Sequence, residues 1–346
     1  MKTTAAILVE TGQPLEMAEI EIPSLKPGQV LVRLAYSGVC HTQLLECRGY
    51  RGEDRFLPHC LGHEGSGTID DVGPEVTKCR VDDRVILSWI KGSGGDVPGS
   101  TYDWNGRKVN AGGLTTFMTH AVVSENRVTK LGDAVDLAVA ALIGCACATG
   151  AGAIWNSAAV QKGDTLAVFG TGGVGLCAVA VGALAEAKAV IAIDVNAARL
   201  GLARQLGATH TIDASQQDAV AKIRELFPCG LDHAVEASGR TAVMRQALAC
   251  VRPRGGQAVV IGNAHFGEML EINPAELNQG KRLLGTWGGD CDPDRDFEKI
   301  SRLVASGQLP LDHLLGKQYS LFEVNDALAD LESGSVARPL LDLTRA

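Results

Sequence analysis

"TLAVFGTGGVGLCAVAVGALAEA", residues 165–187, runs from a β-prone apolar segment through a glycine-rich turn into a helical segment of small apolar residues. The turn fits G-x-G-x-x-G at Gly170, Gly172 and Gly175, and Asp194 closes the next apolar run, "AVIAID", 19 positions after Gly175. In a chain of 346 residues holding 41 glycines the spacing alone is weak. A strand before it, a helix after it and an acid at the end of the next strand make it a dinucleotide-binding fingerprint. Gly170 permits the tight turn, Gly172 lets backbone approach a pyrophosphate, and Gly175 lets the helix pack close to the sheet. The start of the helix offers unpaired N–H groups and a positive dipole end to the phosphates. Asp194 is placed to accept hydrogen bonds from a ribose diol and to repel a 2′-phosphate, so NAD is expected rather than NADP.

Outward from this motif the pattern continues as alternating strands and helices. "TLAVFG", "AVIAID", "THTID", "LDHAVEAS", "GQAVVIGN" and "RLLGTW" are strand candidates with helical crossovers, as a doubly wound parallel sheet requires. Residues 1 to about 135 read differently. "AAILVET", "LEMAEIEI", "QVLVRLAYSGV", "GSGTIDDVG", "DRVILSW" and "FMTHAVVSENRVTKL" are short β-prone runs separated by Gly, Pro and acidic turn residues. A glycine-rich insert at 91–113 has the composition of a loop and is expected to be mobile or to lie on the surface. The charge-free stretch 137–160 has the length of a membrane span, but it is rich in Ala, Gly and Cys and reads better as a buried small-residue helix. The segment after 294 returns to a helix, a loop and a strand-like "RPLLDLT" that could rejoin the first domain.

Bulk properties exclude several classes of function. Hydrophobic residues make up 46% and charged residues 21%, the balance of a globular protein. A net charge of −8 argues against a general attraction to nucleic acid or anionic membrane. The start, "MKTTAAILVETG", lacks the form of a signal peptide, and ten cysteines in such a chain read as reduced thiols or ligands. Both features point to the cytoplasm.

Three further segments carry chemistry. "GVCHTQLLEC" (38–47) holds Cys40, His41 and Thr42, but neighbouring side chains diverge, so at most one of Cys40 and His41 can serve a given ion. "LGHEGSGTIDDVG" (61–73) supplies His63 and Glu64, and "LIGCACATG" (142–150) supplies Cys145. Taken singly, each suits a core thiol or an incidental pair. Taken together, Cys40, His63 and Cys145 offer two thiolates and one imidazole, the three-ligand set of a catalytic zinc with an open fourth position. Spacing alone does not bring them together. Cys60, three residues before His63, is a spare candidate that reads better as a buried thiol.

"GVCHT", "GHEGSG", "LIGCACATG", "VFGTGGVG" with "AIDVN", "EASGR" and the closing "SGSVARPLL" resemble, in this order and over nearly the whole chain, the zinc-dependent medium-chain alcohol dehydrogenase family. The resemblance implies an α/β protein with a GroES-like β-rich catalytic domain, 1–146 and 287–346, and a Rossmann NAD-binding domain, 147–286. It implies zinc on Cys40, His63 and Cys145, with Glu64 able to approach the metal during ligand exchange. Thr42 matches the hydroxyl that bonds the substrate alcohol and passes its proton outward, and Trp89 matches a bulky residue that narrows the pocket. The coenzyme falls to Gly170, Gly172, Gly173, Val174, Gly175, Asp194 and Arg199, to His41 on the pyrophosphate, and to Arg240 and Arg338. The expected reaction is hydride transfer between an alcohol, or its aldehyde or ketone, and NAD(H), by a homodimer or homotetramer. The alternatives are a thiol-adduct dehydrogenase of the glutathione-dependent formaldehyde type, a polyol dehydrogenase and, from another class, a silent NAD-binding protein.

Two departures from the family stand out. The family's structural zinc lobe needs four closely spaced cysteines, and residues 80–144 contain none, so one zinc per chain is expected. Gln43 replaces an acidic residue three places after the first ligand, and Leu45 replaces the histidine that often ends the proton relay.

Overall fold

The structure is a computed structural model that describes residues 1–345. The chain forms two compact units: Met1–Cys145, Asp292–Gly307 and Leu314–Ala346 make the first, and Ala146–Cys291 with Gln308–His313 the second.

The first unit is built on β structure. Strands Lys2–Leu8, Glu16–Glu21, Thr101–Trp104, Arg107–Asn110 and His59–Cys60 close into a barrel. A second sheet is centred on Gln29–Gly38, which pairs antiparallel with Glu64–Val72, His120–Ser124 and Leu340–Asp342. Gln29–Gly38 is buried along most of its length, which explains why "QVLVRLAYSG" reads as a nearly continuous apolar run. Ile7, Ile20, Val32, Leu87, Phe117 and Leu341 are among the side chains of its core.

The insert at 91–113 lies largely on the surface, as expected, but part of it is a hairpin and not a loop. Thr101–Trp104 and Arg107–Asn110 form a hairpin across Asn105 and Gly106, whose φ values of 52° and 87° suit a two-residue turn. Tyr102 and Val109 face each other inside, 2% and 0% exposed, and the Tyr102 hydroxyl accepts the Val122 N–H at 2.7 Å. The lead into the hairpin is tied by Glu125, only 3% exposed. Its carboxylate accepts the N–H groups of Gly95 at 2.7 Å, Thr77 at 2.9 Å and Lys78 at 3.0 Å. Val97 N–H donates to Ser124 Oγ at 2.9 Å, and Ser93 N–H to Asp294 at 2.5 Å. Gly94, at φ 106°, leaves no room for a side chain, because a Cβ would meet Glu125 Cγ at 2.8 Å.

The second unit is a six-stranded parallel sheet in the order His210–Asp213, Ala189–Asp194, Thr165–Phe169, His233–Glu236, Gln257–Val260, Arg282–Gly285. This is the 3-2-1-4-5-6 arrangement of the dinucleotide fold, whose order reverses between the first and fourth strands. All six residues of Ala189–Asp194 are buried, as a strand covered on both faces requires. The helix Gly173–Leu184 is buried almost all round, which its run of Gly, Ala and Val allows.

Stretch 137–160 is largely buried, but not as one helix. It divides into the α-helical Leu137–Ala141, a π-helical turn Ile143–Cys147, the α-helical Ala148–Gly152 and a second π-helical turn Ala153–Ser157. Among the described residues no helix is long and apolar enough to cross a membrane.

Burial would push the Glu125 carboxyl up, but the bonds from Gly95, Lys78 and Thr77 outweigh it and hold its pKa below the usual range. Glu125→Gln is expected to cost about 1.5–3 kcal/mol in urea unfolding, since hydrogen bonds to a charged acceptor are lost. Because the folded pKa is the depressed one, this contribution is complete above the unfolded value of about 4.3. It fades as pH falls through the folded value, so the gap between wild type and E125Q should close in acid.

Candidate metal centre and coenzyme site

Cys40 is the N-cap of the helix His41–Cys47, in an extended conformation with φ −112° and ψ 152° that turns its side chain away from the helix axis. His63 immediately precedes the strand Glu64–Val72. Cys145 sits in the π-helical turn, a feature common at functional sites. Gly144 beside it comes so close to the strand Arg84–Ser88 that a Cβ would meet Leu87 O at 2.1 Å, and its carbonyl accepts Ser88 Oγ at 2.6 Å. These supports bring one ligand atom each from Cys40, His63 and Cys145 within 4.8 Å of one another. His63 Nε2 lies 3.2 Å from Cys145 Sγ.

The electrostatics favour ligation. The hydrogen bond from Cys145, with Arg338 and His63 adding to it, outweighs burial and holds the Cys40 thiol well below its usual pKa. A thiolate is the form that binds metal. Two sulfurs and an imidazole nitrogen are a zinc donor set with one position left for a substrate oxygen. Thr42 Oγ1 stands 3.9 Å from Cys40 Sγ. Trp89 is half-buried, and its N–H donates to the His63 carbonyl at 3.2 Å. His41 is exposed on the first turn of the helix. Cys60 stays outside the cluster as a buried thiol, pushed up to about 12 by desolvation.

Glu64 is fully buried and forms an ion pair with Arg338, itself 4% exposed. The residue that resemblance gives to the coenzyme is therefore engaged by a carboxylate one position from a metal ligand. Gly38 makes room for this pair, since a Cβ there would meet Glu64 Oε1 at 1.9 Å. Sequence reasoning also missed the second role of Gln43. Its buried amide accepts the Cys40 N–H at 3.0 Å and contacts His63 Nδ1, so it touches two of the three ligands.

In the second unit, Gly170 adopts φ 87°, and a Cβ on Gly175 would meet Gly170 O at 1.8 Å. At Gly172 a Cβ would meet nothing within 4 Å, which leaves the open approach to the start of the helix Gly173–Leu184 that a pyrophosphate needs. Gly173 and Val174 form its first positions. The Asp194 carboxylate accepts Thr171 N–H at 2.6 Å, Thr171 Oγ1 at 2.9 Å and Asn196 N–H at 2.9 Å. Arg199 is half-buried in the following helix, and Arg240 is exposed as the N-cap of Thr241–Cys250. Glu236, which sequence reasoning passed over, is fully buried beside this loop. It accepts Ser238 N–H at 2.7 Å and Gly239 N–H at 3.0 Å, and burial holds its carboxyl above the usual range.

Residues 26–133 match the family model described as an alcohol dehydrogenase GroES-like domain, and residues 173–306 match the one described as a zinc-binding dehydrogenase. An S-(hydroxymethyl)glutathione dehydrogenase of Synechocystis is 33% identical over 99% of this chain and 100% of its own. The chain belongs to the zinc-dependent medium-chain alcohol dehydrogenase family. A further relative, the S-(hydroxymethyl)glutathione dehydrogenase of Escherichia coli O157:H7, is 32% identical over 99% of this chain and 100% of its own. Among solved structures, an alcohol dehydrogenase zinc-binding domain protein from Burkholderia ambifaria superposes with a TM-score of 0.92 at 32% identity, covering 99% of both chains. Benzyl alcohol dehydrogenase from Acinetobacter calcoaceticus gives 0.90 at 30% identity, again over 99% of both. This alcohol dehydrogenase family member is thus an oxidoreductase whose Cys-His-Cys cluster suits zinc.

The Glu64–Arg338 pair should behave as a unit. Arg338→Met alone is expected to cost about 3–5 kcal/mol in urea unfolding, because it strands a buried carboxylate. Adding Glu64→Leu to R338M should return a substantial part of that loss.

Proposed function

We propose that this protein catalyses hydride transfer between an alcohol, or the matching aldehyde or ketone, and NAD(H), with one zinc per chain held by Cys40, His63 and Cys145. The observation that carries the reading is the convergence of those three ligand atoms within 4.8 Å, with the Thr42 hydroxyl beside Cys40. When bound, zinc supplies Lewis acidity toward the alcohol oxygen, and the nicotinamide accepts or returns the hydride.

The chain's own residues do the rest. The Cys40 and Cys145 sulfurs and the His63 ring would hold the metal, which would supply Lewis acidity to a substrate oxygen. Thr42 Oγ1 accepts the alcohol's proton and passes its own outward. At the next relay position Leu45 has no acceptor, so the proton continues to water. Trp89 narrows the space for the substrate's carbon chain. The open backbone at Gly172 and the N-terminus of the helix Gly173–Leu184 receive the pyrophosphate. A carboxylate has about four lone-pair sites, so Asp194, with three protein hydrogen bonds, keeps capacity for a ribose hydroxyl. Its negative charge opposes a 2′-phosphate, which supports NAD.

A second reading is favoured by the relatives named S-(hydroxymethyl)glutathione dehydrogenases, and it makes a thiol adduct of formaldehyde the substrate. Zinc analysis together with NADH formation and consumption over simple alcohols, benzyl alcohol, a diol and hydroxymethyl-glutathione separates the two. A preference of tenfold or more in kcat/KM for the glutathione adduct selects the second. One zinc with no turnover on any substrate points to a silent NAD-binding protein, and absence of zinc sinks the mechanism.

Thr42→Val should retain zinc and lose about 10²–10⁴-fold in turnover, the usual worth of a positioned proton-transfer group. His63→Ala should lose the metal itself, seen by elemental analysis. Asp194→Ala should reduce the preference for NAD over NADP in fluorescence titration with the two reduced coenzymes. It should also lower the thermal midpoint, since Thr171 and Asn196 lose their acceptor.

A further inference from the structure

We propose that Glu236 is a positioning residue for the coenzyme, because it ties together the turns that follow three neighbouring strands of the dinucleotide sheet. This role rests on the NAD(H) reading above and deepens it. Glu236 ends the strand His233–Glu236, opposite Phe169 on one side and Val260 on the other. Phe169 leads into the fingerprint turn, and Val260 leads into the turn at Ile261 and Gly262. The order of the sheet reverses between Thr165–Phe169 and His233–Glu236, and a dinucleotide lies in the crevice beyond the carboxyl ends of the strands at such a reversal. The turns after these strands therefore line the place where the coenzyme would rest.

These turns pack backbone against backbone. A Cβ on Gly170 would meet Ser238 N at 2.9 Å, one on Gly239 would meet Asn263 O at 2.4 Å, and one on Gly262 would meet Gly239 N at 2.1 Å. Glu236 supplies hydrogen bonds on both sides of the arrangement. Its carbonyl accepts the N–H groups of Ile261 at 2.8 Å and Gly262 at 3.1 Å. Its side-chain Oε1 accepts Ser238 N–H at 2.7 Å, Gly239 N–H at 3.0 Å and the Ser238 hydroxyl. Ser238 Oγ in turn accepts Arg240 N–H at 3.4 Å, so the tie reaches the exposed arginine that begins the helix Thr241–Cys250. Oε2 is buried without a partner, so reach and not charge is what the turn draws from this side chain. A fully buried carboxyl with one unpaired oxygen is unfavourable for stability alone. What it secures is the shape of the turn beside the crevice, and a turn already held in one conformation loses little freedom when a ligand binds.

Two substitutions separate reach from charge. Glu236→Gln keeps an acceptor where Oε1 stands and removes the charge, whereas Glu236→Asp keeps the charge and withdraws it by one methylene. In fluorescence titration E236D should raise the Kd for NADH about tenfold or more, the worth of a hydrogen bond, while E236Q should stay within about threefold of wild type. Ser238→Ala, at an exposed position, removes one arm of the tie and should raise the Kd about threefold or more. The metal ligands Cys40, His63 and Cys145 belong to the other unit, so zinc content should not change. NADH binding equal to wild type in folded E236D or in S238A would overturn the proposal. So would E236Q weakened as much as E236D, or affinities that simply follow the thermal midpoints of the variants. S238A decides the matter if E236D does not fold. A wild type that binds no NADH would overturn the coenzyme reading itself, and its titration, made first, distinguishes that failure from the others.

Discussion

The register of the strand Gln29–Gly38 governs where the chemistry can assemble. Cys40 follows this strand by two residues, and its neighbours are paired so that Ser37 faces Gly65 and Gly38 faces Leu340. His63 and Glu64 therefore enter at the same end of the sheet as Cys40, and Arg338 arrives there from the opposite flank. On the far side of that neighbour, Glu64 faces Ser88, whose hydroxyl holds the carbonyl of Gly144 and so places Cys145. A slip of one residue would send each side chain to the other face. The strand pairing that builds the core thus also fixes the ligand set, without help from the ligands' own spacing.

That dependence explains what could be read in the sequence. The dinucleotide sheet was legible because its signals are local: glycines for a turn, a helix of small residues and an acid closing the next strand all lie within a short window. The metal site was not legible in this way. Cys145 is 82 positions from His63, and nothing in "LIGCACATG" by itself separates a ligand from a core thiol. Resemblance to the family brought Cys40, His63 and Cys145 together, and sheet register supplies the physical cause. The pairing of Arg338 with Glu64 and the bridging by Gln43 were hidden for the same reason, since both join segments distant in sequence.

Within the segment 91–113, which lies largely on the surface as expected, the hairpin was missed for a different reason. Its glycine content suggested a loose loop, whereas the informative signal was "TYDWNGRKVN", an Asn-Gly turn flanked by residues that alternate between inside and outside. Composition averages over a segment, and a hairpin is decided by two or three positions within it. Residues 93–97 owe their order to acceptors contributed from elsewhere, Glu125, Ser124 and Asp294. Here a buried carboxylate satisfies three backbone donors. The stability of this part of the molecule is consequently tied to proton concentration through Glu125.

Gln43 and Leu45 change the surroundings of the site together. Both stand where the family carries groups that accept hydrogen bonds or protons, and both withdraw that capacity from the helix His41–Cys47. A neutral amide beside His63 leaves more of the metal's charge uncompensated than a carboxylate would, which strengthens its pull on an oxygen while weakening the hold of the ligands. On the proposed reaction, a leucine in place of the relay base would leave Thr42 as the proton carrier of this helix. On the proposed reaction, such surroundings would suit polarisation of a carbonyl at least as well as deprotonation of an alcohol. The two departures therefore bear on the direction of turnover, a property that the ligand set alone would leave symmetric.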